Sequence, residues 1–140
     1  GAKRSKIFPD LPAIAETLRG FRSIVEVTGG KLWAVFEPRS NTVRRRVFQE
    51  TLPDSFKLAD EVVLAPVYRK KDSLSDAQTL QPSEVAESIR SRGGRALAAS
   101  TMDEVVEKIV SGVRTGDVVV FMSNGDFDGV PFRVCEELRN

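Results

Sequence analysis

The sequence predicts an α/β protein with three layers, in which a mostly parallel sheet of at least four strands lies between two layers of helices. Short runs of apolar, β-favouring residues alternate along the chain with segments of helical periodicity. Two of these runs lead directly into polar loops, and in doubly wound α/β proteins ligands bind in the crevice beyond the carboxyl ends of the strands. The same pattern therefore predicts a fold class and the place of a binding site.

Four apolar segments are predicted to be strands. Residues 32–36 are apolar throughout and lie between a glycine pair and a proline, which is typical of a central parallel strand buried on both faces. Residues 117–122 form the clearest strand, because three consecutive valines and a phenylalanine favour extended backbone. The two remaining strands are expected at 61–65 and, more weakly, at 95–98.

Helices are predicted between the strands. Residues 12–25 and 84–91 each carry one apolar stripe at helical spacing. Residues 101–113 open with a Thr-x-x-Glu capping box and carry a broad apolar face. A proline in a helix interior costs about 3 kcal/mol, so residues 43–59 are expected to form two helical pieces, the second starting at Pro53.

The last helix is predicted at 131–138, with Val134 and Leu138 facing the core. The single cysteine, Cys135, lies on this helix and is expected to be a buried or half-buried apolar residue. The irregular, charged stretch 68–79 is expected to be an exposed and mobile loop. Four βα units result, which together predict a Rossmann-like αβα sandwich.

Composition limits the possible functions. At 140 residues the chain is long enough for one domain, predicted at 12–140, and residues 1–11 are expected to be a linker or a cloning remnant. A net charge of +1 gives no reason to expect nucleic acid or a membrane as partner. One cysteine, and no apolar run of about 20 residues, favour a cytoplasmic protein. The absence of histidine excludes Ser-His-Asp catalysis and histidine-bound zinc.

The first polar loop follows the strand at 32–36. Arg39 offers a planar fork of donors for a carboxylate or phosphate, and Ser40, Asn41 and Thr42 add neutral hydrogen-bonding groups beside it. This set suits an anionic, peptide-like ligand. The alternative is that the three neutral residues cap the following helix and that Arg39 is solvated, and the chemistry alone leaves both interpretations open.

The second polar loop, 123–129, follows the last predicted strand. It contains the turn-forming pairs Asn124-Gly125 and Asp128-Gly129, and glycine lets backbone amides approach a ligand closely. The loop therefore predicts either a pocket wall or a tight strand-to-helix connection. Neither loop has a phosphate-binding glycine signature, and the second is acidic, so any nucleotide must be held elsewhere.

Two basic runs, 44–46 and 69–71, support a rival hypothesis: a non-catalytic binding or regulatory module that holds RNA or an acidic protein. The simpler interpretation is a solvated face, because the net charge is near zero and no aromatic residue is interleaved with the basic ones. A stand-alone flavodoxin-like receiver is a third possibility, but the acidic cluster it would need to bind a metal at the end of the first strand is missing.

Three motifs occur in the order and approximate spacing of one known family. They are AIAETLR at 13–19, LWAVFEPRSNT at 32–42, and MSNG at 122–125, the last followed by a phenylalanine and a glycine. On these residues the chain resembles the C-terminal domain of the Mur ligase family, over almost its whole length. The family usually carries Asp-Phe-Ala-His-His-Pro before the first helix, where this chain reads KIFPDL at 6–11.

The resemblance implies one part of a three-domain, ATP-dependent amide ligase. The implied partners are an N-terminal UDP-sugar domain and a central ATPase domain of the same parent chain, together with a peptide substrate. The implied reaction joins L-Ala-γ-D-Glu-meso-diaminopimelate to UDP-N-acetylmuramate in peptidoglycan recycling. ATP and Mg²⁺ would belong to the parent enzyme, so no catalytic residue, metal or cofactor is expected in this domain alone.

The resemblance also implies roles for individual residues. Arg39 would pair with a carboxylate of the incoming peptide, and Ser40, Asn41 and Thr42 would line the same site. The opposite wall would consist of Ser123, Asn124, Gly125, Phe127 and Gly129.

Overall fold

The structure, a computed structural model, describes residues 11–38, 49–67, 80–123, 125 and 127–139 of the chain. Helices and strands alternate through these residues, as the periodicity predicts. In chain order the elements are α1 (Leu11–Thr28), β1 (Leu32–Phe36), α2 (Leu52–Ser55), β2 (Glu61–Leu64), α3 (Pro82–Ser91), β3 (Ala96–Ala98), α4 (Met102–Gly112), β4 (Val118–Met122), a 3₁₀ turn (Phe127–Gly129) and α5 (Val130–Arg139).

In the described part of the chain, four parallel strands form one sheet in the order β3-β2-β1-β4. The chain steps outward from β1 to β2 and β3, and then returns to pair β4 with the other side of β1. Because right-handed crossovers in opposite directions place their helices on opposite faces, helices cover both faces of the sheet. The predicted fold class, a Rossmann-like three-layer αβα arrangement, is confirmed.

Each face of the sheet has its own apolar core. Even-numbered residues of β1, β2 and β4 pack with α1, α2 and α3. Odd-numbered residues of the same strands pack with α4, α5 and the ring of Phe127. All five residues of β1 are buried, as predicted for a central strand, whereas the three residues of the edge strand β3 are only half-buried. Strand β1 therefore belongs to both cores.

The helices begin and end where local signals place them. Helix α1 buries Ile14 and Leu18, as its predicted stripe requires. Helix α4 begins at the predicted cap, where Thr101 Oγ1 accepts a hydrogen bond of 3.1 Å from the Glu104 N–H. The Glu104 carboxylate accepts one of 2.7 Å from the Ser100 N–H, so the reciprocal bond lies one residue earlier than a standard capping box has it. No described helix has the length and apolar character needed to cross a membrane.

Some predictions concern residues that the structure does not describe. These are most of the expected linker, the first helical piece from residue 43, and the loop at 68–79. The last residue of the expected linker, Leu11, belongs to α1, and the domain assignment stays a prediction. Helix α2 starts at Leu52 and has Pro53 in its first turn, so the expected start of the second helical piece is confirmed to within one residue.

Two predictions for α5 are wrong. Val134 is buried, but Leu138 is 51% exposed, and Cys135 is exposed as well. The helix contacts the core only along the stripe formed by Val130 and Val134. No described element covers the flank of the helix on which Cys135 and Leu138 lie, so the apolar stripe continues beyond the end of its packing partners.

Two tight turns meet at the amino ends of β1 and β4. A Cβ atom on Gly30 would overlap the carbonyl group of Gly116. Thr28 Oγ1 donates a hydrogen bond of 2.6 Å to the same carbonyl oxygen. Gly116 has a φ of 95°, which glycine adopts without steric cost. This contact fixes the distance between the two turns. It thereby supports the pairing of β1 with β4, the strands that follow them.

The carboxylate of Asp117 joins the same turns. Its Oδ1 accepts a hydrogen bond of 2.8 Å from the Lys31 N–H, and its Oδ2 accepts bonds of 3.0 Å from Trp33 Nε1 and from the Arg114 N–H. Burial raises the pKa of Asp117, but the bonds from these three residues and the charge of Lys31 together hold the pKa below its ordinary value of 3.8. Trp33 thus has a packing role at 2% exposure, with its indole N–H satisfied.

Substituting the two glycines Gly30 and Gly20 should have opposite effects on stability. We expect Gly30→Ala to lower the free energy of unfolding by about 1–3 kcal/mol or more, because the new methyl group meets backbone that cannot move away. Gly20 lies inside α1 with open space where its Cβ would be, so Gly20→Ala should raise it by about 0.5–1 kcal/mol. Urea unfolding measures the free energy of unfolding of both variants. Changes of the same sign would contradict the close contact between Gly30 and Gly116.

Asp117 should make the stability of the fold depend on pH in the acid range. Because its pKa is lower in the folded state than in the unfolded state, its contribution is present above pH 3.8 and is lost as the pH falls through the folded-state value. We therefore expect Asp117→Asn to be less stable than the wild type at neutral pH, with the difference shrinking below pH 4. Thermal unfolding at a series of pH values checks this, and a difference independent of pH would contradict it.

Candidate functional site

The carboxyl ends of β1 and β4 form the candidate site. These two strands are neighbours, with Phe36 opposite Met122. They are also the strands between which the chain reverses its direction across the sheet, because β2 and β3 follow on one side of β1 and β4 lies on the other. In open α/β sheets, ligands bind at such a topological switch point. Glu37 and Ser123, the residues with which the two polar loops begin, thus lie side by side at the position where the fold class places a ligand.

A hydrogen bond between Glu37 and Ser123 joins the first residues of the two loops, and we call this bonded pair the Glu37–Ser123 lock. The Glu37 N–H donates a bond of 2.9 Å to the Met122 carbonyl oxygen, which extends the pairing of the strands by one residue. Ser123 Oγ then donates a bond of 2.6 Å to Glu37 Oε1 and accepts one of 3.1 Å from the Gly125 N–H. Glu37 is only 1% exposed, and a buried carboxylate is stable only when hydrogen-bonded or paired.

The lock changes the role expected for Ser123. A serine hydroxyl has one hydrogen to donate, and in this structure Ser123 donates it to Glu37 rather than into the space above the sheet. Its oxygen also accepts from the backbone of Gly125. The side chain therefore positions the two loops, and its predicted contact with a ligand stays a prediction.

The 3₁₀ turn anchors the far end of the second loop. Phe127, Asp128 and Gly129 all have φ in the left-handed region, at 56°, 52° and 73°. For residues other than glycine this conformation costs about 1–2 kcal/mol each. The ring of Phe127 is 2% exposed and packs edge-to-face on Phe121, with centroids 5.8 Å apart and planes at 83°. Burial of that ring offsets the backbone cost and fixes the turn beside the site.

The structure describes four of the nine predicted site residues, all of them in the second loop. They are Ser123, Gly125, Phe127 and Gly129, although the side chain of Phe127 lies in the core and not in a pocket wall. The other five lie outside the described residues: Arg39, Ser40, Asn41, Thr42 and Asn124. The basic runs at 44–46 and 69–71 are outside them too.

Sequence reasoning missed Glu37 as a member of the site. It is the first residue after β1 and lies between an apolar strand and the buried Pro38. An acidic residue at that position was the available signal, since a carboxylate between two buried residues needs a donor from another part of the chain. Nothing local in the sequence shows that this donor is Ser123.

A cavity of about 420 Å³ lies at the opposite end of the sheet. Its acidic side chains are already paired, Asp54 with Arg92 at 2.8 Å and Asp60 with Arg22 at 2.7 Å. None of the predicted site residues lines it, and it faces the amino ends of the strands. Among the described residues, no group of three or more histidine, cysteine, aspartate or glutamate side chains could hold a metal ion.

Removing the hydroxyl that joins the loops should destabilise the rim. We expect Ser123→Ala to lower the free energy of unfolding by about 1–3 kcal/mol, because the buried Glu37 carboxylate loses a donor. Ser111→Ala is the control: that exposed hydroxyl bonds only a carbonyl of its own helix, so its loss should change stability by less than about 0.5 kcal/mol. Thermal unfolding of both variants tests this. Equal losses of stability would show that the bond between Ser123 and Glu37 does not stabilise the fold.

Known proteins with similar sequences and structures identify the family of this chain. A family model described as Mur ligase, glutamate ligase domain matches residues 11–125. The UDP-N-acetylmuramate–L-alanyl-γ-D-glutamyl-meso-2,6-diaminoheptandioate ligase of Escherichia coli K12 is 32% identical over 126 residues, which is 90% of this chain and 25% of that protein. The chain thus spans about a quarter of the length of the curated relatives it matches.

Two solved structures are similar as well. A murein peptide ligase from Psychrobacter arcticus has a TM-score of 0.71 and 27% identity, over 95% of this chain and 26% of its own. A domain described as part of the same kind of ligase from Haemophilus ducreyi has a TM-score of 0.66 and 26% identity, over 94% of this chain and 87% of its own. These matches favour a ligase domain over the basic binding module. The chain belongs to the Mur ligase family, as its C-terminal, glutamate ligase domain.

Proposed function

We propose that this domain presents a peptide amine to the reaction of an ATP-dependent ligase that joins L-Ala-γ-D-Glu-meso-diaminopimelate to UDP-N-acetylmuramate in peptidoglycan recycling. The observation that carries the proposal is that Glu37 and Ser123, the residues with which the two polar loops begin, are hydrogen-bonded at the switch point of the sheet. The names of the relatives in Escherichia coli and Psychrobacter arcticus supply the substrate class.

The rim suits a role in orientation rather than in bond making. The described residues there offer backbone amides and a fixed loop geometry, with no histidine in the whole chain to transfer a proton. Holding an amine in line with an activated carboxyl group can itself accelerate amide formation by a large factor, because translational and rotational freedom is lost beforehand. A domain that only positions the nucleophile therefore needs a rigid rim, which the Glu37–Ser123 lock provides.

The side chains that would touch the peptide come from both loops. In our proposal Arg39 pairs with a peptide carboxylate, in the forked geometry that guanidinium groups favour. Ser40, Asn41, Thr42 and Asn124 add neutral hydrogen bonds along the peptide. In the sequence Arg39 is two residues after Glu37, with the buried Pro38 between them.

ATP and Mg²⁺ are assigned in this proposal to a central ATPase domain of the parent chain, and the UDP-sugar to an N-terminal domain. Bound there, ATP and Mg²⁺ would supply the activation of the sugar's lactyl carboxyl group towards the peptide amine. This assignment is supported by the lack of any phosphate-binding glycine motif in the present sequence. The cytoplasm, where ATP is available, is the compartment that the proposal requires.

The proposal predicts where the peptide binds. On titration of the 140-residue chain with L-Ala-γ-D-Glu-meso-diaminopimelate, we expect the largest NMR shift changes at the amides of Glu37, Gly125 and Gly129. Arg39→Ala should weaken binding by about tenfold or more, since a hydrogen bond to a charged group contributes about 1.5–3 kcal/mol. Arg44→Ala is the matched control from the nearby basic run and should leave the affinity unchanged.

Other outcomes would contradict the proposal. Shift changes at Lys31 and Lys57 would move the site to the cavity at the amino ends of the strands. Weakening by Arg44→Ala but not by Arg39→Ala would favour the basic module, and RNA affinity that falls steeply with salt would support that alternative directly. Equal binding of L-alanine and the tripeptide would contradict the assigned substrate class.

A further inference from the structure

The cavity of about 420 Å³ at the amino ends of the strands has no part in the proposed function. The turns that lead into β1, β2 and β3 line it, and each of these turns contributes a cation. The cations are Lys31 before β1, Lys57 before β2, and Arg92 and Arg95 before β3. The cavity is therefore basic, although the whole chain has a net charge of only +1.

The two acidic side chains of the cavity do not neutralise it. Asp54 pairs with Arg92 at 2.8 Å. Asp60 Oδ2 accepts hydrogen bonds of 2.7 Å from Arg22 Nη1 and 2.8 Å from the Leu32 N–H, so this carboxylate is already bonded within the fold. The four cations and two carboxylates of the lining leave an excess of two positive charges. An anion with about two negative charges would balance that excess.

A buried carboxylate holds Arg95 in place at the cavity. Glu61, the first residue of β2, is 6% exposed and pairs with Arg95 Nε. Glu61 and Arg22 both lie outside the lining, and their charges cancel. The Nη atoms of Arg95 bond no other residue of the described ranges, and the same holds for Lys57 Nζ. Two cationic groups therefore have hydrogen-bond donors available for a ligand.

The long segments outside the described residues join the fold at the other end of the sheet. The described chain stops at Pro38 and Val67, beyond the carboxyl ends of β1 and β2. It resumes at Gln49, whose Oε1 accepts a bond of 2.8 Å from the Gln81 N–H at the start of α3. Leu11 begins α1, whose 18 residues span about 27 Å before the chain reaches the amino end of β1. The walls of the cavity are thus formed by residues that the structure describes.

The cavity has the size and the lining of a site for a small organic molecule. Pockets for such ligands occupy about 300–1,000 Å³. Pro53, Phe56 and Ile89 are buried and contribute apolar atoms to the lining. A sugar would need acceptors for its hydroxyl groups, but the carboxylates of Asp54 and Asp60 are already bonded. The lining therefore suits a flat, apolar body that carries an anionic group.

We propose that this cavity binds an organic phosphate with a flat, apolar body, of the size of a nucleoside monophosphate. A phosphate monoester carries about −1.5 to −2 charges at pH 7, which matches the excess of positive charge in the lining. Arg95 donates to the phosphate oxygens in the forked geometry that guanidinium groups favour, and Lys57 adds a point charge. The body of the ligand contacts Phe56 and Ile89.

Titration of the 140-residue chain with adenosine monophosphate, followed by NMR, tests the proposal. We expect the largest amide shift changes at Lys31, Lys57, Gly93 and Gly94. Adenosine and inorganic phosphate should each bind at least about tenfold more weakly, since each lacks one half of the ligand. Ribose 5-phosphate should also bind more weakly, because it has no flat, apolar body.

Two charge reversals separate this cavity from general attraction of anions. Lys57→Glu should weaken the binding of adenosine monophosphate by about tenfold or more, because a charged donor is lost and a carboxylate is added. Lys57 is exposed, so the variant should fold, and a circular dichroism melt checks this. Arg139→Glu is the matched control: it changes the net charge equally, at the end of α5 on the other face of the sheet, and should leave the affinity unchanged.

Other results would overturn the proposal. Shift changes centred on Glu37, Gly125 and Gly129 would place the phosphate at the rim, and equal weakening by both variants would show attraction by net charge alone. Ribose 5-phosphate binding as tightly as adenosine monophosphate would exclude the apolar body. No binding at millimolar concentration would mean that the cations only complement the carboxyl ends of the helices.

The proposal can fail independently of the proposed function. Lys57→Glu leaves the loops after β1 and β4 unchanged, so it should not alter the tripeptide affinity or the tripeptide-induced shifts at Glu37 and Gly125. Loss of both ligands in this variant would contradict two separate sites.

Discussion

The central position of β1 is the constraint on which the rest of the structure depends. Its five residues are apolar and buried, so the strand is stable only with a neighbour on each side and helices on each face. The chain meets this requirement by placing β2 and β3 on one side and returning with β4 to the other. That return brings Ser123 to Glu37 across 86 residues of sequence. The candidate site is therefore a consequence of the strand order.

Sequence alone was sufficient where the signal is local. The five apolar residues of β1 lie between chain breakers and match the observed strand at both ends, and Thr101 caps α4 as its pattern predicts. The placement of Glu37 and Ser123 at carboxyl ends of strands was predictable for the same reason, because each residue directly follows an apolar run. The strand order was not predictable from these signals, since it depends on contacts between distant segments and not on local propensity.

The errors also have one physical cause. A periodic pattern shows which stripe of a helix is apolar, but it does not show how far the neighbouring elements extend, and so Leu138 and Cys135 were assigned to a core that ends at Val134. The Glu37–Ser123 lock could not be predicted for a related reason, because only the tertiary structure determines which residue bonds Glu37. Phe127 was expected in a pocket wall, because a sequence does not reveal that a left-handed turn directs its ring into the core.

Strand β4 supports the candidate site at two points. The ring of Phe121 packs edge-to-face on Phe127 and so supports the left-handed turn at the end of the second loop. Directly after the strand, Ser123 bonds the Glu37 carboxylate and accepts a bond from the Gly125 N–H at the start of the same loop. Both ends of the second loop are therefore fixed by side chains that β4 positions, and the rigidity of the loop depends on the pairing of β4 with β1.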